Sequence, residues 1–353
     1  MDSGMQATAA IKLSICITTF NRGGIIRQTL ENIIEQLTAE CEVVILDGGS
    51  ADDTEQVVSE IARRSLRLRY VRQRLNAGFD RDCDRAIQVA RGEYCWLMAD
   101  DDLLKPGAVR KVLDALQLDV CVIFANVESR DFTMSKVLQR RWLAFESDRV
   151  YEPHELDRFF IDMSERLWYL SGVIIKREIW LARNKDEYYG SWFIFIGVIF
   201  QKRLPGSTIF IADPLVINRR GNEHTFSDQW GEIIFNKWPS LVNSLAISET
   251  TKRTLYGSQP WKNLRRLLLL RGMGYYSIFE YKRWIRPKLR SILDIVPAVL
   301  IALAPGVLVN GLLILWYVVR GDRGSRLQAL RESRFYRRQV SFRQRGSSPT
   351  SSS

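Results

Sequence analysis

Three consecutive carboxylates, Asp100, Asp101 and Asp102, follow an apolar run that begins at Tyr94 and continues through Cys95, Trp96, Leu97 and Met98. A short buried strand that ends this way delivers negative charge to the carboxyl edge of a sheet, where ligands of open α/β sheets bind. Two carboxylates about 4 Å apart repel by roughly 4 kcal/mol at an effective dielectric near 20. A divalent cation carrying a phosphorylated ligand would turn that cost into binding. A helix cap is the competing reading, since Asp is favoured at N-caps and Pro106 suits a first helical turn. Three more polar clusters bear on the choice: Thr18-Thr19-Phe20-Asn21-Arg22, then Asp47-Gly48-Gly49-Ser50 with Asp52 and Asp53, then Asn76-Ala77-Gly78 through Asp82. Each alone is explained by turn or cap chemistry. All four fall at the ends of predicted strands on one edge of one sheet, which capping does not predict. That favours a ligand site.

The elements that must position these clusters alternate between strand-like and helix-like segments over residues 11–126. Strands are predicted at 13–19, 42–46, 66–71, 94–98 and 120–125, with helices at 25–37, after 50, at 82–91 and at 108–116. Near-continuous apolar strands in a βαβα rhythm predict an α/β fold: a mainly parallel, Rossmann-like sheet flanked by helices. From 127 to 225 the pattern loosens, and 191–200 reads as a core segment. Residues 226–290 read as a basic, amphipathic helical region, with Lys and Arg interleaved among Leu, Tyr, Phe and Trp.

Composition narrows the class. The 353 residues are 46% hydrophobic and 11% aromatic, enough for a sizeable core and against wholesale disorder. Cys16, Cys41, Cys83, Cys95 and Cys121 lack metal-site spacing and read as reduced core residues of a cytosolic domain. Residues 1–10 carry neither a basic nor an apolar signal region and are expected to be disordered. The net charge of +11 is concentrated in the C-terminal third, which predicts a polyanionic partner, nucleic acid or anionic lipid.

Residues 295–319 contain no charge, and a straight helix over them would reach about 37 Å, enough to cross a hydrocarbon core. Pro297, Pro305-Gly306 and Asn310-Gly311 are expected to interrupt it, so 291–319 reads as a membrane-embedded or re-entrant segment. Both flanks are basic, including the 320–353 tail, which predicts that both ends stay on the cytoplasmic side of the inner membrane. Basic residues around an uncharged stretch suit anionic lipid better than a base-stacking groove, so no nucleic-acid partner is expected.

The strings 14–22, 45–53 and 92–102 resemble the GT-A glycosyltransferases of family 2, and within them the abequosyltransferase-like bacterial enzymes of surface-polysaccharide and O-antigen synthesis. The likeness is strong over 11–126, weaker to about 225 and faint beyond. It implies a GT-A catalytic domain over 11–225, with a nucleotide-binding half at 11–126 and an acceptor half at 127–225. It implies a nucleotide-sugar donor, a lipid-linked or glycan acceptor and inversion at the anomeric centre. Thr18, Asn21 and Arg22 would line the nucleotide pocket, Asp47 would contact the base with Ser50 and Asp52 nearby, and Asp82 would face the nucleotide or donor sugar. Asp100 and Asp102 would hold Mg²⁺ or Mn²⁺ against the diphosphate, Asp102 foremost, with Asp101 on the donor ribose or sugar. The family's Glu-Asp base motif is not cleanly present; Asp186 and Glu187 stand in as the expected base, with Glu165 behind them. Arg219 or Arg220 would clamp phosphate and His224 would reach the metal or diphosphate. A sugar nucleotidyltransferase on a similar fold would need a Gly-rich, Arg-Lys-containing loop after the first strand, which 18–24 lacks. A non-enzymatic polyanion-binding protein is the remaining alternative.

Overall fold

The computed structural model describes residues 10–164, 167–221, 229–256, 260–321, 325–333 and 335–336. The chain forms two compact units, one of residues 1–225 with 241–255 and the other of 226–240 with 256–353.

The first unit is built on one sheet. Its strands are β1 (Leu13–Thr19), β2 (Cys41–Asp47), β3 (Leu68–Arg72), β4 (Tyr94–Met98), β5 (Leu103–Leu104), β6 (Val122–Arg130), β7 (Val137–Gln139), β8 (Arg149–Tyr151), β9 (Val173–Lys176) and β10 (Thr208–Arg219). The order is β3-β2-β1-β4-β9-β6-β10-β5, with β7 on β6 and β8 on β10. β1 pairs in parallel with both β2 and β4, and β2 with β3. Every residue of β2 and β4 is buried, as expected of strands covered on both faces. β9 runs antiparallel to both β4 and β6, so the sheet is mixed at its centre.

Helices cover the faces: α1 (Gly23–Ile34), α2 (Thr54–Arg64), α3 (Phe79–Val89), α4 (Ala108–Ala115), α5 (Leu156–Met163) and α6 (Ile194–Phe200). α1 buries Ile26, Leu30 and Ile33, one stripe at helical spacing, and α2 buries Val57, Val58 and Ile61. All seven residues of α6 are buried, so the apolar run at 191–200 is core. From β1 the chain moves outward through β2 and β3, then returns to place β4 on the other side of β1. That reversal is a topological switch point, the place outside the strand ends where ligands of open α/β sheets bind. The loops after β1 and β4, which carry Asn21-Arg22 and the aspartate triplet, flank it.

The second unit is helical and includes α7 (Leu264–Met273), α8 (Ile292–Leu303), α9 (Gly306–Val319) and α10 (Ser325–Glu332). Two of the expected interruptions are absent. Pro297 lies inside α8 and Asn310-Gly311 inside α9 without ending either helix. Only Ala304-Pro305 breaks the stretch, because Pro305 starts a new helix as its N-cap and turns it by 98°. Among the described residues no single helix is long and apolar enough to cross a membrane.

Candidate active site at the carboxyl edge of the sheet

The ends of β1 and β2 are tied to each other. Asn21 adopts a left-handed backbone (φ 55°), a conformation Asn tolerates better than most residues. Its N–H donates to Ser50 Oγ at 2.9 Å, and its side-chain oxygen accepts from Ala51 N at 2.8 Å. Arg22 N donates to Thr54 Oγ1 at 2.8 Å and Gly23 N to Asp52 Oδ2 at 3.1 Å. A Cβ on Gly23 would collide with the Asp53 carboxylate, so only glycine lets α1 start this close to the second loop. Thr18 is half-buried on β1, level with Leu46.

Asp47 is fully buried at the base of this knot. Its Oδ1 accepts from Ser50 N at 2.8 Å and Ser50 Oγ at 2.7 Å, and its Oδ2 from the Tyr70 hydroxyl at 2.5 Å. Arg72 Nε stands 3.7 Å away. Burial and the neighbouring carboxylate push the Tyr70 phenol up, so it stays a proton donor. Both Asp47 oxygens thus tie the loop together, with further carboxylates as neighbours.

Asp82 is such a neighbour. It lies in the first turn of α3, buried, with Gln73 Nε2 donating to its Oδ1. A Cβ on Gly48 would sit 2.9 Å from Asp82 Oδ2, so glycine at the end of β2 allows the approach. Burial, with Asp47 nearby, pushes Asp82 up to about 6 against the Gln73 hydrogen bond. Asp80 and Asp84, one helical turn apart, point elsewhere. Asp80 accepts from Trp192 N at 3.0 Å and Ile194 N at 3.3 Å, and Asp84 from Trp180 Nε1 at 2.9 Å and the Tyr189 hydroxyl at 2.7 Å. These bonds fasten residues 180–194 to α3.

The three aspartates after β4 have three different environments. Asp102 is 1% exposed and accepts four hydrogen bonds. Oδ2 takes the Tyr169 and Ser171 hydroxyls, each at 2.6 Å; Oδ1 takes Asn218 Nδ2 and Arg219 N, each at 3.2 Å. Asp100 is also buried, 3.6 Å from Arg22 Nε, with its main-chain oxygen accepting from Thr29 Oγ1 at 3.0 Å. Burial, then the charge of Asp101, pushes Asp100 up to about 7 and Asp102 to about 6. Asp101 alone is half-exposed.

These contacts bear on two expectations. Asp102, the expected leading metal ligand, accepts from four protein donors that hold the loop. Arg219, an expected phosphate clamp, uses three of the five guanidinium N–H groups within the protein: Nε donates to Asp101 O at 3.0 Å, Nη1 to Phe132 O at 2.6 Å and Nη2 to Gln28 Oε1 at 2.6 Å. Arg220 is half-exposed, its amide bonded to Arg130 O at 2.9 Å. Asp186 and Glu187 are exposed on a short helical turn that the Tyr189 contact holds beside α3. His224 and Glu165 lie outside the described residues. Tyr169, Ser171, Asn218 and Gln28 are contributors that the sequence reading did not assign.

Among the described residues no group of three or more His, Cys, Asp or Glu side chains is arranged to hold a metal ion. A cation shared with a diphosphate needs only one or two protein carboxylates, because phosphate oxygens and water complete the shell. The aspartate triplet contains three such carboxylates, of which Asp101 is the most exposed. Among the described residues Asn218 Oδ1 is buried here without a partner, so the edge has polar capacity that these residues do not fill.

Residues 14–175 match the family described as Glycosyl transferase family 2. The chain carries a family 2 glycosyltransferase domain. It is 27% identical over 226 residues to the abequosyltransferase RfbV of Salmonella typhimurium, covering 60% of this chain and 67% of the relative. A second relative is the GalNAc(5)-diNAcBac-PP-undecaprenol beta-1,3-glucosyltransferase of Campylobacter jejuni, 26% identical over 182 residues, covering 51% of this chain and 57% of the relative. The chain thus spans roughly two thirds or less of these relatives' own lengths. Among solved structures, TarS of S. aureus in complex with UDP-GlcNAc superposes with a TM-score of 0.56 at 18% identity, over 95% of this chain and 92% of that one. The mannosyltransferase PcManGT of Pyrobaculum calidifontis, in complex with GDP-Man and Mn2+, gives 0.53 at 13% identity over 96% and 88%. These likenesses establish the GT-A-like fold of the glycosyltransferase domain.

Proposed function

We propose that this glycosyltransferase moves a sugar from a nucleoside-diphosphate sugar to a lipid-linked glycan, in bacterial surface-polysaccharide synthesis at the cytoplasmic face of the inner membrane. The observation that carries the reading is the β1/β4 switch point, where the loops after β1, β2 and β4 meet, Asp102 accepts from four donors and Asp101 stays half-exposed. The named relatives act on nucleotide sugars or an undecaprenyl-linked glycan, which supports the donor and acceptor classes.

In this reading Asp82 and the Asn21–Ser50 knot receive the nucleoside, and Arg22 stands by the diphosphate. Asp101, with Asp100, would hold Mg²⁺ or Mn²⁺. A bound cation would screen the charge that develops on the departing diphosphate. An exposed carboxylate on the Asp186–Glu187 turn takes the proton of the acceptor hydroxyl, and attack from that side inverts the anomeric centre. The basic second unit draws the protein to anionic lipid.

The test is release of nucleoside diphosphate from UDP-, GDP-, CDP- and dTDP-sugars with Mn²⁺ and a membrane lipid extract as acceptor source. One donor class should turn over, and Asp186→Asn or Glu187→Gln should lower turnover with little change in donor KM. Turnover of none of the four would reject the reading; unchanged rates in both variants would move the base elsewhere.

A further inference from the structure

By the standard of a water-soluble protein, α8 and α9 are inside out. On α9 the buried stripe is Gly306, Asn310 and Tyr317, whereas Leu308, Leu312, Leu315, Trp316 and Val319 face outward. On α8, Ala298 and Ala302 are inside and Ile292, Val296, Leu300 and Leu303 outside. A helix in water turns its apolar stripe to the core. Here the outward stripe is the apolar one, with exposures from 37% at Val307 to 81% at Leu293, and the one side-chain amide of the pair is buried. Exposed hydrocarbon on this scale marks an interaction surface.

The bend between the two helices is held from α7. Arg271 Nε donates to Ala304 O at 2.7 Å, capping the end of α8 at the elbow. The Tyr276 hydroxyl donates to Ala298 O at 2.9 Å. Asn310 Nδ2 lies within 3.0 Å of Gly272 O and Leu330 O, joining α9 to α7 and α10. α7 and α9 meet at Gly272, where a Cβ would come within 2.8 Å of Leu313 Cδ1. Straightening the pair into one long helix would break all of these contacts. Separately, arms of 12 and 14 residues reach only about 18 and 21 Å, short of a hydrocarbon core about 30 Å thick.

We infer that the α8–α9 elbow is a fixed wedge that enters one leaflet of an anionic bilayer and leaves it on the same side. Charge selects this occupant over a protein partner. Exposed Arg286 and Arg290 precede the elbow and exposed Arg320 follows it. Asp294 is the one acidic residue between 291 and 321, and Lys262 neutralises it at 2.9 Å. The Arg320 guanidinium lies 4.4 Å from the Trp316 ring, a pairing suited to the headgroup level, where an aromatic body is apolar and its partner wet. This inference rests on the membrane association proposed above.

The experiment uses the full chain with vesicles of phosphatidylcholine and phosphatidylglycerol at 3:1, with pure phosphatidylcholine for comparison. Ile292→Cys and Val319→Cys, at the two outer ends of the wedge, are labelled with a membrane-impermeant maleimide before and after permeabilisation. The five native cysteines are buried and set a low background. The wedge predicts co-flotation with the anionic vesicles and labelling of both sites in intact vesicles, within about twofold of the permeabilised sample. The triple variant Leu308→Gln, Leu312→Gln, Leu315→Gln should lose flotation at least tenfold without a change in melting temperature. Flotation with one end labelled only after permeabilisation would leave membrane association standing and overturn the wedge. Flotation unaffected by the triple variant would place the contact elsewhere and overturn it too. Failure of the parent chain to float would remove the membrane reading and the wedge together.

Discussion

At the carboxyl edge of the sheet the chain buries charge, whereas at the α8–α9 elbow it exposes hydrocarbon. Asp47, Asp82, Asp100 and Asp102 are all buried, while Leu312, Leu315 and Val319 are open to solvent. Both arrangements run against the ordinary partition of residues, and in both the opposite pattern stands nearby in the same molecule: α2 buries Val57, Val58 and Ile61. Local rules fail where something outside the chain completes the structure. At the edge Arg22 and Arg72 offset only part of the buried negative charge, and a cation is the proposed complement; at the elbow the proposed complement is the apolar interior of a bilayer. Within the edge the protein solves part of the problem itself. It satisfies Asp102 with four donors and leaves Asp101 half-exposed.

The contrast between Asp101 and Asp102 gives the largest expected effect. Asp101→Ala should lower transfer at least 1,000-fold, about 4 kcal/mol in the barrier, with a nearly unchanged melting temperature. Asp102→Ala should instead lower stability by about 3 kcal/mol or more, because it strands buried donors. Equal melting temperatures for the two variants would erase the distinction. The next test compares the two kinds of helix. Val58→Gln in α2 buries an unpaired amide and should cost about 3 kcal/mol in denaturant unfolding. Leu312→Gln in α9 should stay within about 0.5 kcal/mol.

A smaller effect follows from Asp82. Its folded-state value of about 6 exceeds the ordinary 3.8, so the native state binds the extra proton between roughly pH 4 and 6. The stability lost to its ionisation therefore grows as pH rises through that window and is absent below it. Asp82→Asn should raise the melting temperature at pH 8, show no gain near pH 4, and still lose donor binding. A gain independent of pH would show that the carboxylate's charge is not the cause. The smallest effect is Tyr169→Phe, which removes one donor from Asp102 and should cost about 1 kcal/mol, read from chemical denaturation.

Much of the nucleotide-binding half was legible in the sequence. β1 and β4 have the predicted bounds, and β2 and β3 differ by one or two residues at their ends, since apolar runs closed by polar turns mark buried strands well; β6 runs on past 125 to Arg130, and the two-residue β5 was not anticipated. β9 escaped notice because four residues between short turns carry too little period, although Val173-Ile174-Ile175 is a β-branched run. Missing β9 hid Ser171, and with it one of the four donors to Asp102. The sequence shows three adjacent aspartates as equals; their burial depends on Tyr169, Ser171 and Asn218, which lie 67 to 116 residues away along the chain. The contacts of Arg219 were hidden for the same reason, since its three acceptors come from three separate loops and helices. Asn310-Gly311 read as a helix breaker because intrinsic propensity counts against both residues. Packing on α7 and α10 reverses that preference by giving the amide its acceptors.

The account stands or falls on what the sheet edge binds. Calorimetric titration of the full chain with UDP-, GDP-, CDP- and dTDP-sugars, with and without Mn²⁺, measures this directly. One nucleotide class should bind with a micromolar Kd that depends on the cation and weakens at least 100-fold in Asp101→Ala. Binding of none of the four, or binding equally tight without Mn²⁺ and in Asp101→Ala, would contradict the assignment of this edge as a cation-assisted nucleotide-sugar site.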